Sequence, residues 1–217
     1  MNKEQIINQT AEHIKTLLSG EGSGHDWWHI YRVWKNAIHI GKEENVDMFV
    51  VELAALLHDI ADWKFHNGND DIGPQMAKDW LKSLSVKEGI IEHVCLIVKN
   101  ISYKGAFVEN KINTIEGMVV QDADRLDAIG AIGIGRTFAY GGSKDREMYN
   151  PEIKPELSSS FEQYKKNQSH TINHFYEKLL LLKDKMNTQS AKKIAIKRHT
   201  VMEVFLKDFF AEWEGKD

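Results

Sequence analysis

The chain has 217 residues and a formal net charge of −4, and 42% of its residues are hydrophobic. This length suits one domain with a large core. The small acidic excess disfavours non-specific binding to nucleic acid, which depends on an excess of Lys and Arg. The polar N-terminus and the lack of any run of about 20 apolar residues argue against a secretory signal and a membrane span. We therefore expect one cytoplasmic domain over 1–217 that binds neither nucleic acid nor membrane.

Three helices are predicted in the first third of the chain. Apolar residues at spacings of three and four mark a first helix that stops near Gly20. Asp26 can cap a second helix that runs to about Ile40, and Asp47 can cap a third helix. The third helix contains 50–62, VVELAALLHDIAD. Because almost no polar face remains in this segment, its neighbours should surround it.

The rest of the chain also has helical spacing. Pro74 suits the first turn of a fourth helix, and Ser85 with Glu88 forms the S-x-x-E pattern of a capping box before a fifth. A sixth helix is expected from about Thr114 towards Tyr140, and two long helices follow it near the C-terminus. Since no strand of period two and no internal repeat is found, the sequence predicts an all-α fold.

An adjacent histidine and aspartate, His58 and Asp59, end the apolar run of the third helix. A buried imidazole or charge is unfavourable unless it is paired or bound to a metal, so this pair indicates a cation in the core. A metal between helices needs ligands from several of them. The second helix offers His29 and the sixth offers Asp124. Two imidazoles and two carboxylates suit Mn²⁺, Fe²⁺, Co²⁺, Ni²⁺ or Zn²⁺ better than an oxygen-only Mg²⁺ or Ca²⁺ site.

Three sequence blocks in this order, GHDWWHIYRV, LLHDIAD and QDADRLDAIGAIG, resemble the HD-domain superfamily of metal-dependent phosphohydrolases. The resemblance implies an HD-type helical bundle, with a metal-binding core over about 22–140 and C-terminal helices over about 158–214 packed on it. It also implies that one divalent ion has four ligands, namely His29, His58, Asp59 and Asp124.

The C-terminal segment NHFYEKLLLLKDKMNT extends the resemblance to a bacterial branch of small HD hydrolases. This branch implies Mn²⁺-dependent cleavage of nucleoside triphosphates to a monophosphate and pyrophosphate, with Mg²⁺, Co²⁺, Ni²⁺, Fe²⁺ or Zn²⁺ as alternative metals. The expected partner is a small nucleotide or another phosphate ester, and a homodimer is left open. The alternative functions are a 5′-nucleotidase, a cyclic-nucleotide phosphodiesterase, a nucleotide-binding module without turnover, and an iron-dependent oxygenase.

Further side chains must position the water and the phosphates, because a bound divalent ion supplies only an activated water and a polarised phosphoryl oxygen. Asp62 lies four residues after His58 in the predicted helix, and it matches the acidic position beside the catalytic water in many HD enzymes. We assign it acid–base or water-orienting work. Arg32, one turn from His29, and Lys64 complete the candidate catalytic set. Five side chains are candidate substrate contacts: His25, Lys104, Arg125, His174 and Lys178.

Each of these assignments has a structural alternative. The four ligand side chains could form a buried hydrogen-bonded network without a metal. Arg32 could pair with Asp122 or Asp127 instead of phosphate, and single lysines are usually solvated. His93 could ligate a second metal together with His66, or could be an ordinary core histidine.

Overall fold

The computed structural model describes the following residues: 1–19, 26–61, 71–101, 111–156 and 169–216. Every regular element within these ranges is a helix, which confirms the all-α fold. No helix within them is both long and apolar enough to cross a membrane. The chain divides into two compact units, Met1–Tyr103 with Glu109–Asp124, and Lys104–Val108 with Arg125–Asp217. The single domain and the cytoplasmic location stay predictions.

The first unit is organised around its third helix. In chain order, its helices are α1 (Lys3–Leu17), α2 (Trp27–Gly41), α3 (Met48–Leu57), α4 (Ile72–Ser83), α5 (Glu88–Asn100), and α6 (Ile115–Asp127) as far as Asp124. Helices α1, α2 and α5 all pack against α3. Every residue of α3 except Met48 and Glu52 is buried, as its apolar sequence predicts. Burying a large aliphatic side chain contributes about 1.5–3 kcal/mol, so α3 anchors this unit.

Two predicted caps fix the starts of the helices that carry the candidate ligands. Asp26 Oδ1 accepts a hydrogen bond of 2.9 Å from the backbone N–H of His29, and Asp47 Oδ1 accepts one of 3.0 Å from Phe49. Each carboxylate satisfies one of the N–H groups that a helix start leaves without a partner. The cap on α2 also holds the backbone of a proposed metal ligand, because His29 lies in its first turn.

Helix α3 ends at Leu57, so the expectation that it continues to Asp62 is wrong. The backbone turns after it, with the Ile60 N–H donating to the Leu57 carbonyl over 3.1 Å. The His58 ring explains the early end, since its Nδ1 lies 2.8 Å from the Ala55 carbonyl oxygen and satisfies an acceptor at the helix terminus. Because helical spacing stops before Asp62, only the family resemblance supports a role for that residue, which lies outside the described residues.

The capping box expected before α5 is also wrong. The N-cap of α5 is Lys87, and no side chain caps this helix. Ser85 has a φ of 57°, and its backbone N–H donates to the Lys82 carbonyl over 3.0 Å. The serine therefore belongs to the turn that closes α4, where its left-handed backbone prevents it from capping the next helix.

The second unit contains the end of α6, α7 (Gly130–Ser143), α8 (Asn173–Glu177), a 3₁₀ helix (Leu179–Lys185) and α9 (Gln189–Trp213). The single sixth helix expected as far as Tyr140 is therefore two helices. Ile129 is extended, with φ of −126° and ψ of 166°, and Gly130 has a φ of 75°. Glycine adopts this left-handed conformation at little cost, so the chain changes direction here between α6 and α7.

Of the two long C-terminal helices, α9 is confirmed, whereas the described part of the other is divided into α8 and the 3₁₀ helix. The break is at Lys178, whose φ of −142° and ψ of −58° lie outside the helical region. A 3₁₀ helix aligns residues three apart, so it places Leu179 and Leu182 on one side. Both leucines are buried, which explains why the LLLL run leaves the α-helical repeat.

Gly130→Ala is expected to lower the free energy of unfolding by about 1–3 kcal/mol. Alanine is disfavoured at this φ, and its Cβ would lie 2.9 Å from Cβ of Arg198. Gly135→Ala in α7 is the matched control, because a Cβ there would meet no other atom within 4 Å. Helix propensity predicts that this control gains up to about 1 kcal/mol. Urea unfolding followed by circular dichroism measures both, and a Gly130→Ala variant as stable as the wild type would contradict the prediction.

Candidate metal centre

Four side chains of the first unit lie close together. His29 comes from α2, His58 and Asp59 follow α3, and Asp124 comes from α6. The Nε2 atoms of the two histidines are 3.3 Å apart. Oδ2 of Asp59 lies 3.5 Å from His29 Nε2 and 3.6 Å from His58 Nε2, and Oδ1 of Asp124 lies 3.5 Å and 4.0 Å from the same two atoms. His29, His58 and Asp59 form a group that could hold a metal ion, since one donor atom from each lies within 4.8 Å of the other two. Asp124 lies beside the two imidazoles of this group.

The His58 ring is oriented by the bond that also ends α3. With Nδ1–H donating to the Ala55 carbonyl over 2.8 Å, Nε2 carries the lone pair and faces the cluster. This tautomer is the one required of a metal ligand, and such a bond to the second ring nitrogen is typical of ligating histidines. Sequence patterns do not predict this contact, because its acceptor is a backbone group whose position depends on where the helix ends.

Burial differs between the two kinds of donor. The imidazole side chains of His29 and His58 are only 2% exposed, whereas the carboxylate side chains of Asp59 and Asp124 are 20% and 31% exposed. The imidazoles therefore form the closed side of the centre, and solvent reaches it on the carboxylate side. Two carboxylates in a partly buried site are unfavourable without compensating positive charge, so this arrangement favours a cation.

The donor atoms fit a divalent transition metal. An ion about 2.0–2.2 Å from nitrogen and oxygen ligands places adjacent donors roughly 3.0–3.6 Å apart in octahedral or tetrahedral geometry. Four of the five measured separations lie between 3.3 and 3.6 Å, and the fifth is 4.0 Å. Two nitrogens and two oxygens match Mn²⁺, Fe²⁺, Co²⁺, Ni²⁺ or Zn²⁺, while Mg²⁺ and Ca²⁺ prefer oxygen donors.

Comparison with known proteins shows the family to which the chain belongs. The HD domain family model matches residues 27–129, which include all four candidate ligands. A crystal structure described as a HD-superfamily hydrolase from Bacillus thuringiensis is 46% identical, covers 98% of this chain and 99% of that one, and superposes with a TM-score of 0.78. The chain belongs to the HD superfamily of hydrolases. The His-Asp pair at the end of α3 lies within the residues that this family model matches.

Two further relatives are similar to the whole chain. The uncharacterized protein YpgQ of Bacillus subtilis is 37% identical over 100% of this chain and 98% of its own length. A crystal structure of YpgQ in complex with ADP superposes with a TM-score of 0.77, covering 98% of this chain and 97% of that one at 33% identity. A crystal structure from Lactobacillus plantarum reaches a TM-score of 0.85 at 34% identity and covers 99% of this chain and 100% of that one.

The other candidate site residues of this HD protein fall into three groups. Arg32 lies on α2, one turn after His29, and is partly buried. Arg125, His174 and Lys178 belong to the second unit. The remaining candidates lie outside the described residues, and their roles stay predictions: His25, Asp62, Lys64, His66 and Lys104.

The surroundings of Arg125 and His174 limit how these two side chains could bind a phosphate. Arg125 donates to the backbone carbonyl of Lys185, so at least part of its guanidinium stabilises the fold. Burial, with Lys178 and Arg146 nearby, lowers the pKa of His174 to about 3. The ring is therefore neutral at pH 7 and can meet a phosphate only by N–H donation, not by charge. Their roles as substrate contacts stay predictions.

His93 and Asp127 each have a hydrogen-bonding partner within their own unit. His93 Nε2 lies 3.0 Å from Thr114 Oγ1 and 3.8 Å from a carboxylate oxygen of Glu116, which is the arrangement of a hydrogen-bonded structural histidine. Asp127 is buried and accepts a hydrogen bond of 2.7 Å from Arg136. Its charge is therefore compensated within the second unit.

Proposed function

We propose that the protein hydrolyses nucleoside triphosphates to a nucleoside monophosphate and pyrophosphate, with Mn²⁺ as its metal. The observation that carries this proposal is the partly open cluster of His29, His58 and Asp59, with Asp124 beside the two imidazoles, in an HD-superfamily hydrolase. The complex of the related YpgQ with ADP supports a nucleotide as the ligand. The resemblance of the C-terminal segment to the pyrophosphohydrolase branch supports the triphosphate.

The residues of this chain have separate tasks in the proposed reaction. A divalent ion held by His29, His58, Asp59 and Asp124 would lower the pKa of a water and polarise a phosphoryl oxygen. The hydrogen bond from His58 to the Ala55 carbonyl keeps the imidazole fixed during turnover. Since the carboxylate side of the cluster is the more exposed one, the phosphates would approach from there.

Asp62 would orient the attacking water and accept its proton. The water oxygen forms a bond to the α-phosphorus, and the bond from that phosphorus to the bridging oxygen breaks, which releases pyrophosphate. Arg32 and Lys64 would stabilise the negative charge that moves onto the leaving group, because guanidinium and ammonium groups form strong charge-assisted hydrogen bonds with phosphate oxygens. Arg125, His174, Lys178, His25 and Lys104 would contact the remainder of the substrate.

A nucleotide panel tests this proposal. Protein stripped with EDTA is restored with Mn²⁺, Mg²⁺, Co²⁺, Ni²⁺, Fe²⁺ or Zn²⁺ and incubated with ribo- and deoxyribonucleoside triphosphates, diphosphates, monophosphates and cyclic monophosphates. We expect equal amounts of monophosphate and pyrophosphate from triphosphates, with Mn²⁺ the best activator. In oxygen-18 water, attack at the α-phosphorus places the label in the monophosphate.

Other products would contradict the proposal and would each indicate one of the alternative functions. Orthophosphate from monophosphates alone would indicate a 5′-nucleotidase, and ring opening of cyclic monophosphates would indicate a phosphodiesterase. Label in pyrophosphate instead of the monophosphate would move the attack to the β-phosphorus. Tight nucleotide binding by calorimetry with no product under any metal would identify a binding module without turnover.

A further inference from the structure

An exposed group of aromatic rings lies at the start of α2, beside the metal ligand His29. Trp28 is 60% exposed and Tyr31 is 37% exposed. Trp28 has the largest exposed fraction of any aromatic side chain in the described parts of the chain. Tryptophan contributes a large apolar area when it is buried, so an indole left this exposed beside the centre of a hydrolase indicates a surface that binds something.

The three rings of this group support one another. The Trp28 and Tyr31 ring centres are 5.9 Å apart with an interplanar angle of 79°, and Trp27 lies 6.1 Å from Tyr31 on its other side. The Lys35 ammonium lies 5.3 Å from the centre of the Tyr31 ring. Edge-to-face pairs and cation–π contacts of this kind limit ring rotation. Trp28 keeps most of its surface in solvent, so its orientation is set while its indole remains available.

Helix geometry places Trp28 on a short path from the metal centre. Residues three or four apart on a helix have Cβ atoms about 5–6 Å apart. His29 and Arg32 are three apart, Arg32 and Trp28 are four apart, and Trp28 and Tyr31 are three apart. Around the axis these positions follow in the order His29, Arg32, Trp28, Tyr31, because each residue advances by about 100°. A metal ligand, a cation and two aromatic rings thus follow one another along the surface of α2.

This order matches the order of groups in a nucleotide. A nucleotide presents phosphates, then a sugar, then an aromatic base, and stacking of a base on an aromatic side chain contributes about 1–3 kcal/mol. We propose that Trp28, supported by Tyr31, is the surface on which the nucleobase stacks while the phosphates reach the metal centre. This inference rests on the proposed function, and it assigns recognition of the base to α2.

The inference also predicts that the enzyme discriminates only weakly between nucleobases. Stacking depends on the aromatic face that every nucleobase has, so it contributes affinity without discriminating strongly between bases. Trp28 and Tyr31 should therefore strengthen binding of adenine, guanine, cytosine and uracil nucleotides alike. Any marked preference for one base would have to come from hydrogen-bonding groups elsewhere.

Trp28→Ala tests the inference against two matched variants. We expect its KM for ATP, GTP, CTP and UTP to rise about 5- to 150-fold, with kcat and metal content close to those of the wild type. Trp28→Phe keeps a ring and should recover most of the loss. Trp213→Ala removes another exposed tryptophan, 48% exposed and in the second unit, and should leave KM unchanged.

An inhibitor without a base separates stacking from phosphate binding. The inhibition constant of inorganic tripolyphosphate should be the same for Trp28→Ala and the wild type. If KM stays at the wild-type value, or if the tripolyphosphate constant rises by the same factor, the inference is wrong. If the wild type releases no pyrophosphate at all, the proposed function fails instead. Binding of fluorescent etheno-ADP with Mn²⁺ to the wild type and to Trp28→Ala then decides the inference by itself.

Discussion

His58→Ala is expected to remove the divalent ion and nearly all hydrolytic activity while the helical content survives. The substitution deletes one of four donor atoms and the ring that satisfies the Ala55 carbonyl. Loss of a residue that only orients a ligand reduces metal affinity about 10- to 100-fold, so loss of the ligand itself should exceed that range. The ion contributes several kcal/mol of transition-state stabilisation, so kcat should fall by about 10³ or more without it. Metal analysis by mass spectrometry and far-ultraviolet circular dichroism measure the two properties separately.

His93→Ala is the matched control for this prediction. His93 is another histidine of the first unit, and its Nε2 is bonded to Thr114 Oγ1 at 3.0 Å. Its loss should leave one ion per chain and little change in kcat. A His58→Ala protein that holds one ion with wild-type affinity would show that the ligand assignment is wrong. A His93→Ala protein that loses metal would revive the second-ion alternative.

The sequence predicted the parts of the centre that depend on local chemistry. Asp26 and Asp47 cap the helices that they were expected to cap, since a carboxylate before a helix start needs only the next few backbone N–H groups. The apolar α3 indicated that His58 and Asp59 required a partner, because burial of such groups is costly in any fold. The other two candidate ligands, His29 and Asp124, were selected by their place on other apolar helices and by the ordered HD blocks.

The parts that were missed depend on contacts between residues far apart in the sequence. Gly130, Gly133 and Gly135 indicate irregularity in the second half of the expected sixth helix, but they do not show where it divides. The division depends on packing, because Gly130 has a φ of 75° and lies against Arg198 of α9. The end of α3 likewise depends on a side-chain contact. The His58 ring donates a hydrogen bond to the Ala55 carbonyl, which a further helical turn would have used as a backbone acceptor.

Asp62→Ala is expected to keep the metal and lower kcat by about 10²–10⁴, the usual contribution of a positioned acid or base. A carboxylate that only orients water and accepts its proton acts in the transition state, so KM should change little. This separation of kcat from metal content distinguishes Asp62 from His58, whose loss should affect both. Steady-state kinetics with saturating Mn²⁺, together with metal analysis of the same preparation, measure it.

Two further measurements decide whether Asp62 acts chemically. Asp79→Ala is the control, because Asp79 is an exposed carboxylate of the same unit whose oxygen accepts from Gln75, and its loss should leave kcat unchanged. Added formate should restore part of the activity of Asp62→Ala, since a small carboxylate can enter the space that the side chain leaves and accept the proton of the water. A structural role would not respond to formate. A normal kcat in Asp62→Ala would require another group to accept that proton, and the exposed carboxylate side of the metal centre is where it would have to lie.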